Sequence, residues 1–204
     1  MDKDTFLNKI VLGWIKRDFE RMLSGVPVIP KGEGNINFFL ALCALATMEF
    51  LGSFLLGKKV NFEKNVEEYV NRCFNNPDEY PICILREVFR NGLAHEFFPR
   101  GIITRDGTHP AVFLDTKTSG VVLDAETLVN DLLDSLDNFK NELEEEKYKE
   151  RMEQLEKQLE ESRKKCKEEI KNIPKKGSTS TTSSSSEVTS PSSDTISGPP
   201  ELIK

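Results

Sequence analysis

The segment from residue 36 to residue 56, INFFLALCALATMEFLGSFLL, constrains this chain more than any other. It is long enough for a helix of bilayer length, and it carries one charge, Glu49. A carboxylate in the second half of a membrane helix costs about 2.5–3.5 kcal/mol on insertion scales. The run also holds Ala41, Ala44, Ala46, Gly52 and Ser53, small residues that let a second helix approach closely. Segments on both sides bring apolar faces that need a partner. The favoured reading is therefore a central helix buried on most sides, with a membrane span as the competing one.

The flanking periodicity supplies those partners. Asp4 or Thr5 can cap a first helix carrying Phe6, Ile10, Leu12, Trp14, Ile15, Phe19 and Leu23. Gly25, Pro27 and Pro30 end it, and Lys31-Gly-Glu-Gly34 reads as a loop. Asn35 or Asn37 opens the apolar helix. Asn61 or the residues before it open a third, with Phe62, Val66, Val70 and Phe74 on one face. A fourth is expected from about Pro81 to Phe98, stopped by Pro99-Arg100-Gly101. Then Ile102-Ile103-Thr104, Val112-Phe113-Leu114 and Gly120-Val121-Val122-Leu123 read as β-like runs, and Asp106-Gly107 between the first two signals a β-hairpin within residues 102–123. Asp124 caps a last helix with Leu128, Val129, Leu132, Leu133, Leu136 and Phe139, expected to run on past residue 140 into a charged extension.

That extension differs in composition from the body. Residues 141–171 hold 20 charged positions out of 31, with abundant i,i+4 Glu–Lys/Arg pairs. Met152, Leu155, Leu159, Cys166 and Ile170 give only a sparse apolar stripe, so a solvated helix and a short dimeric coiled coil both remain open for residues 141–173. Residues 178–197 contain 15 Ser or Thr among 20, so residues 174–204 are expected to be a disordered tail. The fold class expected is thus mainly α: a helical bundle over residues 1–140 with a small β-hairpin insertion, a long charged C-terminal helix and a disordered tail. MDKDTF lacks a signal-peptide core, and the four cysteines are widely spaced with no C-x-x-C pair. These features point to a cytoplasmic protein with reduced thiols, no metal and no cofactor.

One segment could carry chemistry, REVFRNGLAHEFFPRG. His109 lies beside Pro110 in a loop and reads as surface, whereas His95 sits near the end of the fourth helix. Asn91 and His95 are four apart and share a face, with Glu87 one turn back. Arg90 is about 140° from His95 by the 100° helical step, yet both can reach a groove bordered by a second helix. Gly92 costs a helix about 1 kcal/mol against Ala, which suggests that another backbone comes close there. Histidine can take and return protons near neutrality, and arginine presents a forked cation matched to phosphate oxygens. With Asn91 to orient a hydroxyl, the set suffices for metal-free RNA cleavage by the 2′-OH, a nucleophile that DNA lacks. An Arg at this spacing from a His arises by chance about 0.09 times in such a composition, and roughly 0.006 times with Asn after the Arg.

Arg90-Asn91-x-x-x-His95 on the fourth helix of a helical body resembles the HEPN superfamily (higher eukaryote and prokaryote nucleotide-binding domains). The resemblance covers residues 5–140, and its specific part is FRNGLAHEFF. It implies a metal-independent endoribonuclease of toxin or defence type, a homodimer whose two motifs meet in one cleft, and RNA as substrate. By the resemblance Arg90 binds the scissile phosphate, Asn91 assists positioning and His95 transfers protons. Arg86 and Arg100 would line the cleft as substrate-binding residues and restore positive potential in a body of net charge -4. Members paired with a nucleotidyltransferase antitoxin carry H-x-Y; here Phe97 stands at that position and offers no hydroxyl. Two other classes stay open. One is a nucleic-acid or nucleotide-binding module that does not cleave. The other is a dimeric scaffold whose residues 141–173 recruit an antitoxin or another protein. The plainest alternative is a polar helix end in which Arg90 pairs with Glu87 or Glu49.

Overall fold

A computed structural model describes residues 1–25, 36–96 and 98–171. Phe97, the 26–35 loop with its prolines and K-G-E-G, and the Ser/Thr-rich tail lie outside the described residues. Among the described residues the chain is mainly helical, with six helices and one three-stranded sheet. Helix α1 spans residues 3–25, with a wide-wound stretch over Phe6–Lys16. Helix α2 is Asn37–Leu55, α3 is Phe62–Cys73 and α4 spans residues 82–96. Strands β1 (Ile102–Thr104), β2 (Val112–Asp115) and β3 (Gly120–Asp124) come next, then α5 (Ala125–Glu142) and α6 (Glu145–Lys171).

Helix α2 is the central element. Leu40, Ala41, Ala44, Leu45, Met48, Leu51 and Phe54 are wholly buried along it. By length and composition α2 could cross a membrane, but 56% of its most apolar window is buried inside the protein. The small residues matter where they were expected to. A Cβ at Gly52 would stand 1.7 Å from the Asn65 carbonyl oxygen, so α2 and α3 can cross this closely only at a glycine. On α3's far face, Tyr69 is buried and its hydroxyl meets Ser135 Oγ of α5 at 2.7 Å. The Asn138 amide donates to the Cys73 carbonyl at 2.8 Å, which ties the end of α3 to α5.

Two helix caps obey local chemistry and two differ: α2 is preceded at its cap position by Ile36, with no side-chain cap bond, in place of Asn35 or Asn37. Asn61 Oδ1 accepts from Lys64 N–H at 2.9 Å, and Asp124 Oδ1 accepts from the Glu126 and Thr127 amides, as their positions dictate. The α1 cap is Asp2 rather than Asp4 or Thr5: its carboxylate accepts from both Thr5 N and Thr5 Oγ1 at 2.8 Å. Three candidates of the right chemistry crowd this terminus, and the earliest one wins because Phe6 and Leu7 are already needed in the core.

The sheet corrects the hairpin expected at Asp106-Gly107. Its order is β1-β3-β2, with β1 parallel to β3 and β2 antiparallel to β3. The hairpin joins β2 to β3 through residues 116–119, where Asp115 accepts from Lys117 N–H and Thr118 Oγ1 and Ser119 takes φ 54°. Asp106-Gly107 is a turn, but its bonds go elsewhere. Asp106 accepts from Thr108, and Gly107 N–H donates to Asp124 Oδ2 at 3.0 Å, docking the loop on the α5 cap.

A second correction concerns the C-terminal helix. Helix α5 does not run on; Leu143 is extended and α6 starts afresh at Glu145. Packing continues past residue 140. Leu143 and Tyr148 are 2% exposed, Arg151 is 3% exposed, and the Tyr148 ring lies 5.5 Å from Phe6 and 6.0 Å from Phe54. Residues 1–164 form one compact unit. Of the second unit, residues 165–204, the described part (165–171) is helical. Leu159 is 54% exposed on α6.

Candidate functional site

Helix α4 is anchored by Leu85, Phe89 and Leu93, spaced four apart and at most 2% exposed. Burying each such side chain contributes about 1.5–3 kcal/mol. That stripe turns the residues between it outward. The backbone is not ordinary α-helix here: Leu85–Arg90 and Gly92–Glu96 are wound widely, and Asn91 N–H bonds back to the Arg86 carbonyl, five residues away. Wider winding means a smaller angular step, so residues five apart come nearer one face than the α-helical 140° allows. Such wide turns are often found at functional sites.

The consequence is direct contact between Arg90 and His95. Arg90 Nη1 stands 3.2 Å from His95 Nε2 on the exposed side of α4. A guanidinium can only donate, so in this contact His95 Nε2 is the acceptor. Arg90 is held from two further sides. Glu49 of α2 lies 3.6 Å from Nη2, and the Phe62 ring of α3 sits 5.6 Å from the guanidinium carbon. Arg90 thus pairs with Glu49 and not Glu87. The lone carboxylate of the apolar helix is spent on positioning this arginine.

Gly92 explains how the helix stops. After Glu96 the chain folds back: Phe98 N–H bonds the Gly92 carbonyl at 3.1 Å and Arg100 N–H bonds the Val88 carbonyl at 2.9 Å. A Cβ at Gly92 would be 2.4 Å from the Phe98 oxygen and 3.0 Å from Pro99 Cα. The close backbone expected there is the chain's own return.

The remaining expected residues are less concentrated. Asn91 is half-buried beside Arg90. Arg86 is tied to Glu63 and Glu87, the Glu87 bond being the main reason its protonated form is held above the ordinary value. Arg100 is exposed and pairs with Glu96 at 3.3 Å. The structure therefore brings Arg90 and His95 together, while Arg86 and Arg100 each engage a neighbouring carboxylate. His109 is a half-exposed loop residue whose ring packs 4.7 Å from Phe113. Phe62 is the participant that sequence reading missed, because its place on an apolar helical face made it look like core alone. Among the described residues no group of three or more His, Cys, Asp or Glu converges as a metal site.

The arrangement is a fixed cation, an adjacent imidazole and an open side toward solvent. It can hold an anionic oxygen and exchange a proton beside it. Compared with family models, with curated proteins and with solved structures, the chain matches none.

Proposed function

We propose that this protein is a HEPN-like, metal-independent endoribonuclease acting as a homodimer, with Arg90, Asn91 and His95 as its site. The observation that carries the reading is the 3.2 Å contact between Arg90 Nη1 and His95 Nε2, made on the exposed face with Arg90 fixed by Glu49 and Phe62. In the reaction the RNA 2′ oxygen attacks the adjacent phosphorus. RNA draws Arg90 to the phosphate, which frees His95 Nε2; His95 takes the 2′ proton, the P–O5′ bond breaks, and the imidazolium returns that proton to the leaving 5′ oxygen, giving a 2′,3′-cyclic phosphate. Arg90 offsets the charge that builds on the non-bridging oxygens. Asn91 orients the ribose, and Arg86 and Arg100 add flanking positive charge when RNA draws them from Glu63, Glu87 and Glu96.

A second copy is supported by uncovered aromatic surface. Phe98 is 70% exposed directly after the site and Phe39 is 56% exposed at the start of α2. Two motifs in one cleft would supply the positive potential that a single acidic body lacks. The Glu49–Arg90 pair favours one alternative, a module that binds RNA without cutting, because it neutralises part of the arginine's charge. A dimeric scaffold that recruits a protein through residues 141–173 is the other alternative.

The test is RNA cleavage in the presence of EDTA, with 2′,3′-cyclic phosphate ends. His95→Ala should abolish it while helical circular dichroism and oligomer size stay unchanged. Cleavage that survives that substitution would overturn the site. Gel-shifted but uncut RNA, with affinity falling steeply with salt, would establish the binding module instead.

A further inference from the structure

Arg151 lies in the second turn of α6 and is 3% exposed, yet among the described residues it makes no ion pair. Other half-buried or buried arginines are matched: Arg72 meets Glu68 and Glu142, Arg90 meets Glu49, and Arg105 meets Glu126. Arg151 Nε donates to Ser53 Oγ at 2.8 Å, its guanidinium carbon stands 5.9 Å from the Phe54 ring centroid, and its Nη1 has no hydrogen-bond partner. The Ser53 hydroxyl cannot neutralise it, since that group gives its own proton to the Phe50 carbonyl at 2.6 Å.

A buried guanidinium without an anion is costly, and arginine does not escape by losing its proton. Burial presses its proton affinity below the ordinary value without discharging it. The carboxylates of α6 are within reach of the helix surface, but the fold does not use them here. Glu150, the adjacent residue, pairs with Lys147.

The guanidinium lines a recess of about 150 Å³ between α2 and α6, together with Ser53, Phe50, Glu49 and Lys59. Lys59 is exposed and makes no ion pair among the described residues. Glu49 is the one carboxylate of the lining, and it is drawn toward Arg90. The lining therefore keeps a net positive charge, one buried donor set and one exposed cation. Its size suits a single tetrahedral anion.

We propose that this recess is a binding site for the phosphate group of a phosphate ester, with Arg151 as the fixed forked donor and Lys59 as the closing charge. The site is separate from the Arg90–His95 pair and does not depend on RNA cleavage there. The two share Glu49, which lines the recess and also holds Arg90.

The experiment is isothermal titration of the full chain with inorganic phosphate at fixed ionic strength. One saturable site is expected. Lys59→Ala, an exposed change that leaves the core intact, should weaken it about tenfold, and Arg151→Lys should do so at least as much. Absence of saturable binding, or binding indifferent to both substitutions, would overturn the proposal. So would acetate binding as tightly as phosphate, which would mark a site for a protein carboxylate. Adenosine monophosphate matching inorganic phosphate identifies a terminal phosphate as the ligand. Tighter binding of a 2′-O-methyl RNA, weakened by Lys59→Ala, identifies a backbone phosphate.

Discussion

Arg90 and His95 are five residues apart on α4, yet their side chains touch, Nη1 to Nε2 at 3.2 Å. The widened helix permits the contact, and Glu49 and Phe62 hold the arginine in place to make it.

Glu49→Gln should therefore harm function more than folding. The pair is partly solvated, at 16% and 28% side-chain exposure, so its loss should change stability by about 1 kcal/mol or less. RNA turnover should fall, because Arg90 loses one of its supports. Urea unfolding and single-turnover cleavage, measured on the same preparation, check both halves. An unchanged cleavage rate would show that Glu49 has no positioning role.

Two glycine substitutions should reverse the usual helix preference. Alanine is favoured over glycine inside a helix by about 1 kcal/mol. At Gly92 the new Cβ would meet the Phe98 oxygen at 2.4 Å, and at Gly52 it would meet the Asn65 oxygen at 1.7 Å. Both contacts are with backbone, which must move, so each change should destabilise by about 1–3 kcal/mol, with Gly52→Ala the worse. A gain in the denaturation midpoint for either would refute the packing described.

The acidic loop should give a pH signature. Burial first, and then the Asp106 carboxyl, push Asp124 above the ordinary carboxylate range. The hydrogen bond from Thr108 N–H holds Asp106 below it. The folded state thus binds the Asp124 proton more tightly than the unfolded chain does. That contribution is complete below about pH 4 and is lost as pH rises through the raised value. Asp106 has the opposite sign: its contribution is present above about pH 4 and is lost as pH falls through the lowered value. Asp124→Asn keeps an acceptor for the Glu126 and Thr127 amides and removes the first effect. Its stability should decline less between about pH 4 and 7 than that of the parent chain. Parallel pH profiles would count against the carboxylate pair.

Thiol labelling should divide three of the four cysteines. Cys83 and Cys166 are exposed, while Cys73 is buried and its thiol is pushed up to about 12, chiefly by burial. Cys83 and Cys166 should react with a disulfide reagent in the native state, and Cys73 only after unfolding. Mass spectrometry of partially labelled protein locates the sites, and fast labelling of Cys73 would contradict the core.

The start of α6 should behave as part of the body. Tyr148 is 2% exposed and packs on Phe6 and Phe54. Tyr148→Ala should cost about 3–5 kcal/mol, the range for emptying a large aromatic site. A chain cut after residue 140 should be at least as unstable. If either keeps the parent's unfolding midpoint, α6 is only an appendage.

Much was readable from one-dimensional pattern. The helical class, the central place of residues 37–55, the Asn61 and Asp124 caps and the glycine requirement at Gly92 all rest on local chemistry or short periodicity. The hairpin was misplaced because Asp-Gly signals a turn without saying which strands pair across it. Here Gly107 serves the Asp124 cap instead, and β3 pairs in parallel with β1. The break at Leu143 was hidden for a related reason. Strong helix formers lie on both sides of it, and only burial of Leu143 and Tyr148 against the body rewards the interruption.

The sequence by itself determined which segments are apolar, that Asn61 and Asp124 open helices, and that Arg90, Asn91 and His95 sit close along one helix. Tertiary structure decided that Arg90 and His95 touch, that Glu49 belongs to Arg90, and that Arg151 is buried with no ion pair among the described residues. The physical reason is that a spacing fixes residues on a single helix, while charge partners come from α2, α3 and α6, whose approach depends on close packing at positions such as Gly52.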